Sequence, residues 1–409
     1  MNLLKKLIQN LCPDGVKSVP LWTVTIWDKR FNTVDRKKQV QVINYHYLLA
    51  ANLFALERDG GDVFLLSTGE RVGWTTQELA GPNMHEGEVV TIPWGKTRPV
   101  TDCIKYYKGK FVTADNRIMT SFDTSVLLNK YLYYWIMTQG KIIDGFYRGS
   151  GIQHPNMAKI LDMQIPVPPL EVQREIVRIL DHFTELTAKL TAELTAELTA
   201  RKMQYEYYRD SLLTQQKNAQ WMTLGDIGSV CMCKRIMKAE TSREGDVPFF
   251  KIGTFGKEPD AYITWEKFAE YSNKYSFPRK GDVLISAAGT IGRAVIYDGD
   301  PAYYQDSNIV WLDNDESKVL NKYLFYYYQL QPWAVSTGGT IARLYNDNIS
   351  RAKISVPSLD EQTRIVSILD RFDALCNDLT SGLPAEIQAR QKQYEYYRDK
   401  LLSFPALQG

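Results

Sequence analysis

The sequence predicts an α+β fold: two mixed α/β globular domains separated by two long helices, which pair as an antiparallel coiled coil about an approximate two-fold axis. Three observations predict it. The heptapeptide QYEYYRD stands at 204–210 and again at 393–399, an offset of 189. The same offset relates IPVPPLEVQREIVRILDHF (165–183) to ISVPSLDEQTRIVSILDRF (354–372). Between the shared stretches lie two longer segments, 1–165 and 216–354, with strand-like and aromatic runs but divergent sequence. Self-similarity of this length marks a duplicated half-chain, well beyond the roughly 20–50 residues of a solenoid repeat. The expected domains are therefore 1–165 and 216–354, with repeat helices at 166–215 and 355–409.

The elements follow in order. MNLLKKLIQNLCPDG at the start spaces its apolar residues as on an amphipathic helix; it has no continuous apolar core and no small-residue cleavage site, so it does not read as a signal peptide. Strand-like runs are GDVFLLS (61–67), GEVVTIPW (87–94) and KGKFVTA (108–114) in the first globe. The second has GDVLISAAG (281–289), RAVIYDGD (293–300) and NIVWLD (308–313). Each globe then passes into an aromatic helix, NKYLYYWIM (129–137) or NKYLFYYYQ (321–329). After Pro168 and Pro169 a helical pattern begins, with Leu170, Val172, Ile176, Val177, Ile179, Leu180 and Phe183 on one broad face. Neither Pro nor Gly interrupts 170–213, which predicts one helix of 44 residues, about 66 Å long. A stripe that long needs a partner helix. The second copy supplies Leu359, Ile365, Val366, Ile368, Leu369, Phe372 and Leu375. Its middle carries Gly382 and Pro384, read as the C-cap of one helix and the first residue of the next.

The TAEL tetrapeptides between 191 and 198 are strong helix formers, but leucines every fourth residue drift about 40° per step and cannot prolong a straight seam. They read either as helical filler or as a spacer in which each unit adds about 6 Å.

Hydrophobic residues make up 44% and charged residues 23%, the globular range, and there is no run of 18 apolar residues to span a membrane. Cysteines at 12, 103, 231, 233 and 376 are odd in number, which fits a reducing, cytoplasmic setting better than a disulfide framework. Net charge is +2, yet its distribution is uneven: 1–169 carries 20 basic against 15 acidic residues, whereas 170–213 carries 6 against 8. Any phosphate-binding surface is expected on the globes.

Catalytic constellations are missing from the sequence. There is no GxxxxGK[ST], and the histidines at 46, 85, 154 and 182 are too scattered for a paired-His metal site. Cys231 and Cys233 form a CxC without a second pair, a poor zinc signature. GDPAYYQD (299–306) is only faintly like an adenine-methyltransferase motif and reads as a turn feeding a strand. The chain reads as a binder, and near-identical helices under divergent globes read as one scaffold presenting two different recognition surfaces.

CPDGV (12–16), PVPPLEVQREIVRIL (166–180), TAELTAEL (191–198), WMTLGDIGSV (221–230), KGDVLISAAGTIGR (280–293) and GLPAEIQARQKQYEYYRDKLLSFP (382–405) together resemble the specificity subunit of type I restriction–modification enzymes. The resemblance covers essentially the whole chain. It implies that each globe is a target-recognition domain reading half of a split double-stranded DNA site. It implies further that the helical units space the globes and dock two modification subunits. Methylation, translocation and cleavage would belong to partner chains, among them restriction/translocase subunits, so no cofactor is expected here; S-adenosylmethionine, ATP and Mg would sit on the partners.

For DNA contact the expected loops are WGKTRP (94–99) with Lys96 and Arg98, and YRGSGIQH (147–154) with Arg148 and Gln153. In the second globe they are SAAGTIGR (286–293) with Ser286, Thr290 and Arg293, and TGGTIAR (337–343) with Thr340 and Arg343. The bland alternative is that these glycines make tight turns and the charges are merely solvated. Tyr205, Tyr207, Tyr208 and Arg209, with Tyr394, Tyr396, Tyr397 and Arg398, are the expected partner-binding residues, half of the tyrosines being expected to pack inside the helical pair. Competing readings are a stand-alone DNA methyltransferase or nuclease with duplicated domains, and a coiled-coil scaffold that does not touch DNA.

Overall fold

The computed structural model describes residues 2–216, 218–335, 343–378 and 380–407. The chain divides into two compact units, residues 1–192 with 388–409, and residues 193–387. Both divisions fall inside helices, so each unit is a globe together with part of each long helix. The boundaries expected from the sequence, after 165 and after 354, lie instead within the exit strands Gln164–Pro166 and Lys353–Val356.

In the first unit the chain enters and leaves the globe through an antiparallel ribbon, Ser18–Pro20 against Gln164–Pro166. The main sheet runs Thr25–Trp27, Asn116–Ser121, His85–Pro93, Lys105–Ala114, Val63–Leu66, Gly73–Thr75, and Tyr47–Leu48 adds in parallel to Lys105–Ala114. One face of this sheet, with Val90, Ile92 and Met119, packs against Tyr131, Leu132, Trp135 and Ile136 of the helix Asn129–Thr138. The amphipathic helix Asn2–Leu11 adds Leu4 to the same core.

The second unit repeats the plan with a different filling. Its ribbon is Gln220–Thr223 against Lys353–Val356. Its main sheet is Gly228–Cys231, Ile309–Asn314, Val283–Ser286, Ala294–Ile296, and the helix Asn321–Tyr328 packs on one face. The other face is covered by a second sheet of Tyr262–Ile263, Val247–Phe250 and Tyr303–Tyr304. The GDPAYY stretch thus feeds a strand whose Tyr303 is wholly buried, in keeping with the turn-and-strand reading.

The duplication is explained by a set of polar contacts made twice. In the first unit buried Gln173 accepts from Leu128 N at 2.9 Å and donates to Val126 O (2.8 Å) and Pro168 O (2.7 Å). In the second, buried Gln362 accepts from Leu320 N at 2.9 Å and donates to Lys318 O (3.0 Å) and Pro357 O (2.9 Å). Tyr134 donates to Asp181 at 2.6 Å, as Tyr326 does to Asp370 at 2.5 Å. Lys130 pairs with Asp181 (2.9 Å) and Lys322 with Asp370 (2.7 Å). Tyr131 and Tyr323 reach back to the exit ribbon at Pro166 O (3.0 Å) and Ser355 O (2.7 Å). The shared lysine and two shared tyrosines of the NKYLYY and NKYLFY runs are thus fastened to the repeat helix or the ribbon, while the shared asparagines bond the sheet, Asn129 accepting from Ser121 N (2.6 Å) and Asn321 from Asn314 (2.9 Å). Burial of such polar groups is tolerated where each is paired.

The first long helix is Leu170–Thr214, one residue longer than expected. Val172, Ile176, Ile179 and Leu180 are buried, and none of the TAEL leucines is. In the first unit Phe183 meets Tyr397 with ring centroids 6.1 Å apart, and Thr184 Oγ1 lies 3.0 Å from Tyr394 Oη, so the two helices run in opposite directions. In the second unit Phe372 lies 5.8 Å from Tyr208 and 6.4 Å from Tyr205, and Cys376, one turn on, is within reach of the charges of Lys202 and Arg201, so the chains are again opposed.

The second copy is broken, as expected, but by other residues. Helix Leu359–Asn377 is capped by Asp378, whose carboxylate accepts from Thr380 N (2.7 Å) and from the hydroxyls of Thr380 (2.6 Å) and Ser381. These donors hold its pKa down at about 2. Gly382 is not a left-handed cap; it stands just before helix Leu383–Leu401, where a Cβ would lie 2.6 Å from Ala374 O. Pro384 is the second residue of that helix, not the first.

Candidate nucleic-acid interface

The two loops expected in the first globe do come together. Lys96 N donates to Gln153 O (3.0 Å) and Gln153 N to Lys96 O (3.1 Å), while the His154 ring packs on Trp94 at 4.3 Å. Their side chains differ in use. The expectation that Lys96 projects into a groove is not met. Its side chain is only 9% exposed and its ammonium lies 2.5 Å from Asp144, which also accepts from Val100 N at 2.9 Å. Arg98 is half-exposed and pairs with Glu70. Arg148 is exposed and makes no ion pair among the described residues, and Gln153 is half-buried beside it.

In the second globe Ser286 is corrected in the same way. It is 2% exposed, and its hydroxyl accepts from Arg293 N at 2.9 Å and donates to Thr290 O. Arg293 is a strut as well, donating to Phe255 O at 2.7 Å. Gly289 (φ 64°) and Gly292 (φ 80°) supply the left-handed residues this tight loop requires, which leaves Thr290 exposed at its tip. Arg343 donates to Ser307 O at 2.8 Å, and Thr340 lies outside the described residues.

The paired tyrosine clusters divide inward and outward. Tyr205 is buried, donates to Gln329 at 2.9 Å and has its pKa pushed up to about 12, chiefly by burial. Arg209 pairs with Asp210 at 2.7 Å and lies over the Tyr205 ring. Tyr208 stacks on Phe372, while Tyr207 is 69% exposed. In the other copy Tyr394 and Tyr397 turn inward on Thr184 and Phe183, Arg398 pairs with Asp399 at 2.8 Å, and Tyr396 is 60% exposed.

Two basic regions were missed in the sequence. In the second unit a cleft of about 650 Å³ is lined by Arg235, Lys238, Arg243 and Lys251 and floored by Gln305–Asn308. Ser307 in that floor adopts φ 53°, costly for a residue with a Cβ, and is held there by Arg343. Asp306 pairs with Arg235 at 2.8 Å. In the first unit the corresponding loop, 28–41, is stapled from within by buried Gln39, which accepts from Phe31 N (2.9 Å) and donates to Lys29 O (3.0 Å). Arg30, Arg36 and Lys37 of this loop are exposed. The signal that could have found both regions is a Lys-Arg dipeptide after the first sheet strand of each globe. It escaped because its offset, 205, departs from the 189 of the helices.

A duplicated pair of α+β domains, fastened by identical contacts to shared helices and differing in their exposed basic loops, defines a class of two-headed recognition scaffolds. The model of the type I restriction modification DNA specificity domain matches residues 41–200 and 216–389. The chain is similar to a putative type I restriction enzyme specificity subunit of Haemophilus influenzae, 53% identical over 78% of this chain and 84% of that protein. It is also similar to the Escherichia coli EcoR124I/EcoR124II specificity subunit, 36% identical over 71% of this chain and 74% of the relative. Among solved structures, a chain from work on assembly and conformational transition of the type I R-M system superposes with TM-score 0.62 at 17% identity, covering 95% of this chain and 98% of that one. The HsdS subunit from Thermoanaerobacter tengcongensis gives 0.50 at 17% identity, with 96% of each chain covered. The chain belongs to the type I restriction–modification specificity family, and as a specificity subunit it recognises DNA sequence.

Proposed function

We propose that each unit reads one half of a bipartite double-stranded DNA site and that the chain itself performs no chemistry. The observation that carries this reading is the repeated lock of Gln173 and Gln362 under globes whose exposed loops differ. One scaffold holds two unlike reading surfaces, as a split target with two different halves requires. Arg98, Arg148, Thr290 and the basic cleft of the second unit are the side chains offered to DNA. Lys96, Ser286 and Arg293 shape the loops that carry them.

On this reading two modification subunits dock on the outward faces around Tyr207 and Tyr396, where exposed aromatics suit an interface. Methyl transfer, translocation and cleavage belong to the modification and restriction/translocase partners, with S-adenosylmethionine, ATP and Mg bound there. Five free cysteines fit a cytoplasmic setting, and no described helix is long and apolar enough to cross a membrane. Footprinting of the chain with its modification partner tests the reading. Two protected blocks flanking an unprotected gap are expected, and one contiguous block would refute it. Methyl transfer to DNA by the chain alone would overturn the non-catalytic assignment.

A further inference from the structure

We infer that Lys29-Arg30 and Lys234-Arg235 are matching phosphate clamps, one in each recognition unit, each kept in place by a displaceable aspartate. The inference rests on the reading that both units bind DNA, and it assigns the contact that is independent of sequence.

The two pairs occupy the same place in the fold. Strand Thr25–Trp27 pairs antiparallel with Asn116–Ser121, and strand Gly228–Cys231 pairs antiparallel with Ile309–Asn314. In both units this second strand leads into the aromatic helix, so the strand pairs are equivalent. The chain leaves the first strand, presents Lys-Arg, and then buries an apolar side chain, Phe31 or Ile236, each 8% exposed. That anchor leaves Arg30, Lys234 and Arg235 exposed, while Lys29 is 25% exposed and lies 3.4 Å from buried Asp28. One cation of each pair meets a carboxylate just ahead of the neighbouring strand: Lys29 with Asp115 at 2.5 Å, and Arg235 with Asp306 at 2.8 Å. Arg30 and Lys234, the other members, are exposed.

Chemistry separates this shared feature from the loops around it. Two units that read different bases cannot share base-reading side chains, but they can share phosphate contacts, because the phosphate is the same at every step. A basic pair found just after the equivalent strand, one residue out of register, in otherwise divergent globes therefore fits the backbone and not the bases. The carboxylate partners do not argue against this. Arg235 is 65% exposed, and an ion pair made by a solvated cation contributes little, so a phosphate displaces Asp306 at little cost. The aspartate holds a long, flexible cation in one place before DNA arrives, and it weakens binding to stray polyanions.

The test uses the complete assembly of this chain with its partner subunits, titrated by fluorescence anisotropy onto a cognate and a scrambled duplex across a potassium chloride series. Arg235→Ala should lower affinity for both duplexes by the same factor. The slope of log K against log salt should shrink by about 1 per cation removed. Asp306→Asn, which frees the cation and changes little volume, should raise affinity for both duplexes by the same factor. Lys29→Ala should repeat the effect in the first unit, and the methylated half-site sequences should not change. An unaltered salt slope in Arg235→Ala, or a changed base preference in one half-site, overturns the clamp while leaving DNA reading intact. Failure of the unsubstituted assembly to prefer the cognate duplex overturns the underlying reading instead.

Discussion

Replacing Gln173 with Ala removes three hydrogen bonds, from Leu128 N and to Val126 O and Pro168 O, all between 2.7 and 2.9 Å. Gln173 is fully buried, so water cannot take its place. Leaving a buried partner group unpaired costs about 1–3 kcal/mol, so the loss of three bonds should cost at least about 3 kcal/mol. Because Gln173 ties the approach to the aromatic helix to the first turn of the long helix, the loss should fall on the first unit. Gln362→Ala should cost a similar amount in the second, where the three bonds run from 2.9 to 3.0 Å. Urea unfolding followed by tryptophan fluorescence reads both, each substitution moving the transition of its own unit. Gln173→Glu is the sharper probe. It keeps the size and the acceptor for Leu128 N but turns a carboxylate oxygen toward two carbonyls. It should be at least as damaging as Ala at pH 8 and recover in part as the carboxyl takes up a proton in acid. A cost below about 1 kcal/mol for both Ala variants would refute the claim that these glutamines fasten the globes.

Three further outcomes are expected. Burial raises the pKa of Asp28 to about 6, against the opposing pull of Lys29; the fold therefore favours the neutral acid. Since the unfolded carboxyl titrates near 4, stability should fall by about 3 kcal/mol as pH rises from about 4 to 6 and level off above. Asp28→Asn should flatten that stretch of a melting-temperature profile, and an unchanged slope would show that Asp28 does not cause it. Gly382→Ala should destabilise the second unit by about 1–3 kcal/mol, because the new Cβ would lie 2.6–2.8 Å from three carbonyl oxygens; denaturant unfolding checks it. Deleting one TAEL unit from the helix Leu170–Thr214 shortens it by about 6 Å and turns it by about 40°. Methylome sequencing should then report a shorter gap between unchanged half-sites, since a base-pair step is about 3.4 Å. An altered half-site with the same gap would refute the spacer role.

Much of the architecture was legible in the chain alone, and for a local reason. Helix length follows from an uninterrupted apolar stripe, so Leu170–Thr214 was anticipated to within one residue. Strand runs such as 63–66 and 283–286, and the aromatic helices, announce themselves by period and flanking glycine. The break in the second helix was visible too, although Asp378 and its hydroxyl donors make it, not a glycine cap.

Which cations face solvent was decided only in three dimensions. Lys96 and Arg293 look like groove-reading residues because glycine and charge surround them, yet Asp144 and the Phe255 carbonyl, 38 residues from Arg293, draw them inward. Arg30 and Arg235 carry no louder local signal, yet they face solvent beside a buried Phe31 or Ile236. Periodicity along a chain encodes the face an element buries. The direction of a charged side chain depends on a partner brought close by folding, and that partner is absent from the residue's own neighbourhood in the sequence.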